Sequence, residues 1–217
     1  MVLKSINLMK LSIILISFTY FAMWITNIIS TLLSYPLVSV GMTDLFAFIL
    51  LYLFSLALPA IGLLIFMKHT KENSTRWYWG IPLLIGIFLI TFYRDNTLMP
   101  VLYSESFIAS FDIWNILDPR PIIYLIIIFL SLASAMFCLS VPEEKRNNMK
   151  LPLMISIFAA IFIIIFSIIS LIEASTYNSF FPNSLFYINA YFYAAHAILI
   201  LILGLSFVRV AIKYNQN

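Results

Sequence analysis

The residue in this chain best placed to do chemistry is His196, the histidine that falls inside a long apolar stretch. It lies about a dozen residues before Arg209, which puts it near mid-membrane if the stretch is a spanning helix rising 1.5 Å per residue. On such a helix Asn189, Tyr193, His196 and Leu203 share one stripe, at i, i+4, i+7 and i+14. Glu173 precedes the turn into this segment. An imidazole at that depth is costly unless it faces a bundle interior or a cavity. Two roles are open to it. One is a proton-accessible or ligand-contacting site with Glu173 near the same outer vestibule. The other, more common for a lone histidine, is a neutral ring satisfied by one interhelical hydrogen bond. The seam of Glu173, Asn189, Tyr193 and His196 is therefore expected to face another helix of the same bundle or a partner subunit.

Other chemistry is sparse. No Walker A sequence, Gly-rich dinucleotide turn, H-E-x-x-H or G-x-S-x-G is present. A second intramembrane histidine is missing, so bis-His haem ligation within one chain is excluded. The single cysteine, Cys138, sits in an apolar run and cannot form an internal disulfide. Neither a metal nor another cofactor is expected, nor is catalysis by this chain alone.

The elements that must position these residues follow from composition. The chain is 63% hydrophobic and 10% charged, with a mean hydropathy of +1.05. Soluble domains carry about 25% charged residues, and no soluble core could cover this much apolar side chain. The class is an all-α, polytopic membrane protein. The formal charge of +3 is divided among short loops and gives no sign of nucleic-acid binding.

Six stretches are long and apolar enough to span: 11–33, 45–67, 77–93, 121–141, 151–172 and 185–208. They form one integral membrane domain, 1–217. The first run is too long for a signal-peptide core and is expected to be an uncleaved helix. Trp77, Tyr78, Trp79 and Tyr93 bracket the third run like an aromatic belt. Pro59 and Pro82 are expected to kink or thin the second and third helices. Asn27, Ser131 and Ser134 offer interhelical hydrogen bonds. The fifth run has almost no polar residue and is expected to face lipid or a partner.

Of the 12 basic residues, Lys4, Lys10, Lys68, Lys71, Arg76, Lys145, Arg146, Lys150, Arg209 and Lys213 fall on one side of a six-span arrangement. The positive-inside rule makes that side, and both termini, cytoplasmic. The remaining bases, Arg94 and Arg120, bound the longest connection. Within it Ser104 is a good N-cap. Phe107, Phe111 and Trp114 share one helical face, with Glu105, Asp112 and Asn115 broadly opposite. A short helix lying on the outer membrane surface is predicted there, ended by Asp118-Pro119-Arg120-Pro121. Glu105, Asp112 and Trp114 would form an outer docking surface if it is more than a cover for the bundle. A multi-pass protein of a prokaryotic plasma membrane is the expected setting.

The C-terminal stretch resembles subunit III of haem-copper oxidases. The resemblance runs through Glu173-Ala174, then Phe192-Tyr193-Ala194-Ala195-His196-Ala197, then ILILILGLSFVR. Glu173 and His196 match that family by position, while Tyr193 stands where the family has another histidine. The resemblance implies a subunit without metal of its own, packed beside a catalytic oxidase subunit and binding lipid in a cleft. Two functions follow as expectations. The first is a non-catalytic accessory subunit of a larger membrane complex, of the terminal-oxidase type. The second is a small six-helix transporter or permease component. Membrane lipids and other membrane subunits are the expected partners.

Overall fold

A computed structural model describes the backbone of residues 2–33, 49–71, 75–102, 119–176 and 182–213. Side chains are described for 8–25, 28, 52–71, 75–92, 124–143, 145–169 and 194–213. Apart from Lys71, Thr75 and Arg76 in turns and Val141 and Pro142 between helices, these residues are helical. Helix α1 covers Val2–Leu33. A π-helical stretch, Ile49–Ala57, runs directly into α2, Leu58–Thr70. A 3₁₀ turn, Trp77–Trp79, leads into α3, Gly80–Leu102. Helix α4 spans Pro119–Ser140. A four-residue helix, α5 (Glu143–Arg146), and a second 3₁₀ turn, Asn147–Met149, connect it to α6, Lys150–Thr176. Helix α7 is Pro182–Lys213. Four helices among the described residues are long and apolar enough to cross a membrane: Leu8–Ile25, Tyr52–Thr70, Asn147–Ile169 and Ala194–Lys213. Two shorter apolar helices, Trp77–Phe92 and Tyr124–Ser140, accompany them.

Several helices overrun the apolar stretches that announce them. Helix α1 starts nine residues before Leu11, α3 continues past Tyr93 to Leu102, and α7 runs on to Lys213. Apolar length measures what lies in hydrocarbon, whereas backbone hydrogen bonding continues through the polar interface. Prolines cluster where a missing N–H costs nothing: Pro82, Pro119, Pro121, Pro152 and Pro182 all fall in first turns. Pro82, expected to disturb the third helix, therefore begins it.

The helices pack as a closed ring in chain order. Helix α1 packs on α2, α2 and the π-helical stretch on α3, α3 on α4, α4 on α6, and α6 on α7. The ring closes through α1 and α7, the most extensive helix pairing among the described residues. Close approach is set by glycine. A Cβ on Gly62 of α2 would lie 2.7 Å from the Ser12 carbonyl oxygen and 2.8 Å from Leu15 Cβ of α1. The approach is looser at Gly86, where a Cβ would lie 3.0 Å from Leu130 Cδ1 of α4, and at Gly204, where it would lie 3.2 Å from Tyr20 Cβ of α1. Without a hydrophobic drive between helices in lipid, such close packing carries much of the association.

Aromatic rings fill the centre. Phe137 of α4 lies between Phe66 of α2, with centroids 4.6 Å apart, and Phe207 of α7, at 5.9 Å. Tyr20 of α1 stacks on Phe207 at 5.3 Å. All four rings are fully buried. Of the four long spans, that of α6 is the most outward: 28% of it is buried, against 50% for those of α1 and α7. Ala159, Ala160 and Ile163 turn inward, while Met154, Phe158, Ile161, Ile165 and Ile168 are exposed. The fifth apolar run thus presents a broad apolar face to its surroundings.

Candidate functional site

The polar groups inside the bundle come from residues whose hydroxyls need partners in an apolar medium. Among the described residues, most serines bond to a carbonyl of their own helix. Ser12, Ser17, Ser140 and Ser206 each donate to the carbonyl three residues earlier, at 2.6–2.7 Å. Elsewhere hydroxyls tie helices together. Tyr20 Oη and Ser134 Oγ lie 2.6 Å apart, and Ser134 also donates to its own Leu130 carbonyl at 2.7 Å. With both bonds in place, Tyr20 is the donor to Ser134. A second tie is a chain of three residues. Thr19 Oγ1 of α1 donates to the Ser55 carbonyl at 3.3 Å, and Ser55 Oγ lies 3.0 Å from Thr91 Oγ1 of α3. Thr19, Ser55 and Thr91 are all buried.

The sequence explains why this chain forms at Ser55. Pro59 stands four residues later and has no N–H, so the Ser55 carbonyl cannot make its α-helical hydrogen bond. The proline ring also crowds that carbonyl. The backbone adopts the wider π-helical geometry from Ile49 to Ala57 and regains α-geometry at Leu58. The carbonyl takes a hydroxyl from a neighbouring helix instead, as irregular backbone at membrane depth requires. The kink expected at Pro59 is thus a stretch of widened helix.

His196 is 1% exposed. It lies on the inward seam of α7 with Ala197, Ile200, Leu203, Phe207, Val210 and Ala211, and Ala194, Ile198, Ile202 and Leu205 lie on the outward side. The histidine is therefore held within this bundle, where it takes part in at least one further polar or ring interaction. Asn189 and Tyr193 fall on the backbone of α7, and Glu173 on that of α6. Their side chains lie outside the described residues, as does that of Asn27. Glu105, Asp112 and Trp114, with the predicted surface helix, also lie outside them. Among the described residues no three His, Cys, Asp or Glu side chains come together to hold a metal ion. Cys138 is a buried free thiol.

Sequence reasoning passed over Thr19, Ser55 and Thr91. The signal for Ser55 was present, a hydroxyl residue four positions before an intramembrane proline. Nothing in the sequence marks Thr19 or Thr91 as its partners.

The Tyr20–Ser134 hydrogen bond can be weighed by a double-mutant cycle. Tyr20→Phe and Ser134→Ala are each expected to cost about 1 kcal/mol, with a coupling of about 0.6 kcal/mol. Reversible unfolding in mixed micelles measures this, and full additivity of the two changes would show that the pair is not coupled.

The chain matches no protein-family model, and no curated protein and no solved structure is significantly similar to it.

Proposed function

We propose that this protein is a non-catalytic accessory subunit of a larger membrane complex. On this reading it crosses a prokaryotic plasma membrane six times, with both termini in the cytoplasm. The observation that carries the reading is how the polar groups are used. Hydroxyls at membrane depth tie α1 to the π-helical stretch, that stretch to α3, and α1 to α4. The centre beside them is filled by Tyr20, Phe66, Phe137 and Phe207. That is the make-up of a scaffold. What it offers to others is the outward face of α6 and its neighbours. The distribution of Lys and Arg supports the orientation. The resemblance around Glu173 and His196 suggests the catalytic subunit of a terminal oxidase as the partner.

Purification from native membranes in a mild detergent tests this. A stoichiometric complex is expected. Phe158→Ala combined with Ile165→Ala is expected to lower recovery of the partner while leaving the unfolding midpoint of the isolated chain unchanged. A chain that elutes alone and monomeric from freshly solubilised native membranes would overturn the proposal.

A second reading, a small transporter or permease component, is favoured by one feature. The second span leaves α-geometry at membrane depth, beside hydroxyls from two other helices. Transport sites are commonly built on such interrupted spans. Solute flux into proteoliposomes that Ser55→Ala abolishes would favour this reading over the first.

A further inference from the structure

The two connections at the basic end of the bundle differ in charge. The connection 68–79 carries Lys68, Lys71 and Arg76 against Glu72. The connection 143–150 carries Lys145, Arg146 and Lys150 against Glu143 and Glu144, and Arg146 Nη1 is paired with Glu143 Oε1 at 3.3 Å. By formal charge the first connection is the more positive.

It is also the one built with aromatic rings. Lys71 Nζ lies 5.5 Å from the centroid of the Trp77 ring, and Arg76 Cζ lies 5.0 Å from that of Trp79. Both distances are within cation–π range. Lys68, Lys71, Arg76 and Tyr78 are exposed, and Trp77 and Trp79 are half-buried. The turn that carries the rings is fixed from below. Trp79 N–H donates to the Arg76 carbonyl at 3.0 Å, and Lys71 N–H donates to the Met67 carbonyl at 3.0 Å. Gly80 is buried against the Met67 side chain, where a Cβ would come within 3.1 Å. The turn also packs on α4. Indole rings of this kind settle at the headgroup level of a bilayer, with their apolar bodies toward the chains. Two cations thus lie over rings of a kind that favours the headgroup level.

We infer that the Lys71–Arg76–Trp77–Trp79 turn is a seat for the headgroup of an anionic phospholipid. The ligand class is a membrane phosphodiester with net negative charge. The rings contact its glycerol and upper acyl region, and Lys71 and Arg76 face its phosphate. The surface charge attraction that draws basic juxtamembrane segments to anionic lipid is general. What is particular here is that two of the cations are pre-positioned over indoles, so the connection 68–79 should outcompete the connection 143–150.

The test uses the full chain reconstituted into vesicles of phosphatidylcholine and phosphatidylglycerol. Bromine is placed high on the acyl chains of one lipid or of the other. Tryptophan quenching then reports which lipid lies beside the rings. Brominated phosphatidylglycerol is expected to quench as though enriched about threefold over its bulk fraction. The enrichment should vanish in Lys71→Gln/Arg76→Gln and persist in Lys145→Gln/Lys150→Gln. A Trp77→Phe/Trp79→Phe chain, matched by circular dichroism, should lose the differential signal, which assigns it to this turn. Equal quenching by the two lipids in the unsubstituted chain would overturn the inference. So would enrichment that survives Lys71→Gln/Arg76→Gln.

Discussion

Gly62→Leu is expected to abolish recovery of folded, monodisperse protein, and Gly62→Ala to lower stability by about 2 kcal/mol. The reason is that the added Cβ meets backbone. It would lie 2.7 Å from the Ser12 carbonyl oxygen and 3.2 Å from the Ile16 nitrogen, with Leu15 Cβ at 2.8 Å. None of these can rotate aside, so α1 and α2 must separate. Separation also pulls apart the Phe18–Phe54 ring pair, at 5.4 Å, and the Thr19–Ser55 hydrogen bond further along the same interface. Gly80→Ala is the control. Its Cβ meets the Met67 side chain at 3.1 Å, and a thioether can swing away, so a loss below about 1 kcal/mol is expected. Unfolding in mixed micelles gives both values. A Gly62→Ala midpoint equal to that of the unsubstituted chain would mean that α1 and α2 do not approach as described.

Phe137→Ala should be the most damaging truncation in the core. The ring is fully buried between Phe66 and Phe207, so its removal loosens α2, α4 and α7 together. In water-soluble proteins such a change costs about 3–5 kcal/mol, part of it from lost transfer of apolar surface out of water. That part falls away in a bilayer, where the alternative environment is equally apolar. What remains is the dispersion attraction that the walls of the cavity no longer feel. A cost of about 2–3 kcal/mol is therefore expected, with about 1 kcal/mol for Phe137→Leu. Phe158→Ala on the outward face of α6, 58% exposed, should cost less than about 0.5 kcal/mol. Equal costs for Phe137→Ala and Phe158→Ala would show that the ring cluster is not what holds the centre together.

The contrast between Phe137 and Phe158 shows where sequence reading stops. Both are phenylalanines in long apolar runs, and nothing local separates them. In a soluble helix the polar face would give the inward direction away. Here lipid and core are both apolar, so α3, α6 and α7 carry large side chains all round. Ser134 was legible as a candidate for interhelical bonding, yet Tyr20 as its partner was not. The widened helix at Ser55 was half legible: Pro59 signals a lost hydrogen bond, but whether the backbone kinks or widens depends on what lies beside it. In the structure Thr19 donates to the freed Ser55 carbonyl, and Thr91 meets the Ser55 hydroxyl on the other side.

His196 follows the same division. Its depth could be counted from Arg209, and its stripe with Leu203 follows from helical geometry. That His196 and Leu203 turn inward, onto a seam shared with Phe207 and Ala211, is a property of how α7 packs against α1 and α6.

By itself the sequence determined that this is an all-helical membrane protein, because 63% apolar residues leave no other solvent for it. It also placed the apolar segments and the basic connections between them. Tertiary structure alone decided the closed ring, the close approach at the glycines, the ring-filled centre and the hydroxyl chain at Ser55. Those depend on which residues of different helices meet, and in an apolar solvent no hydrophobic pattern along one helix encodes that choice.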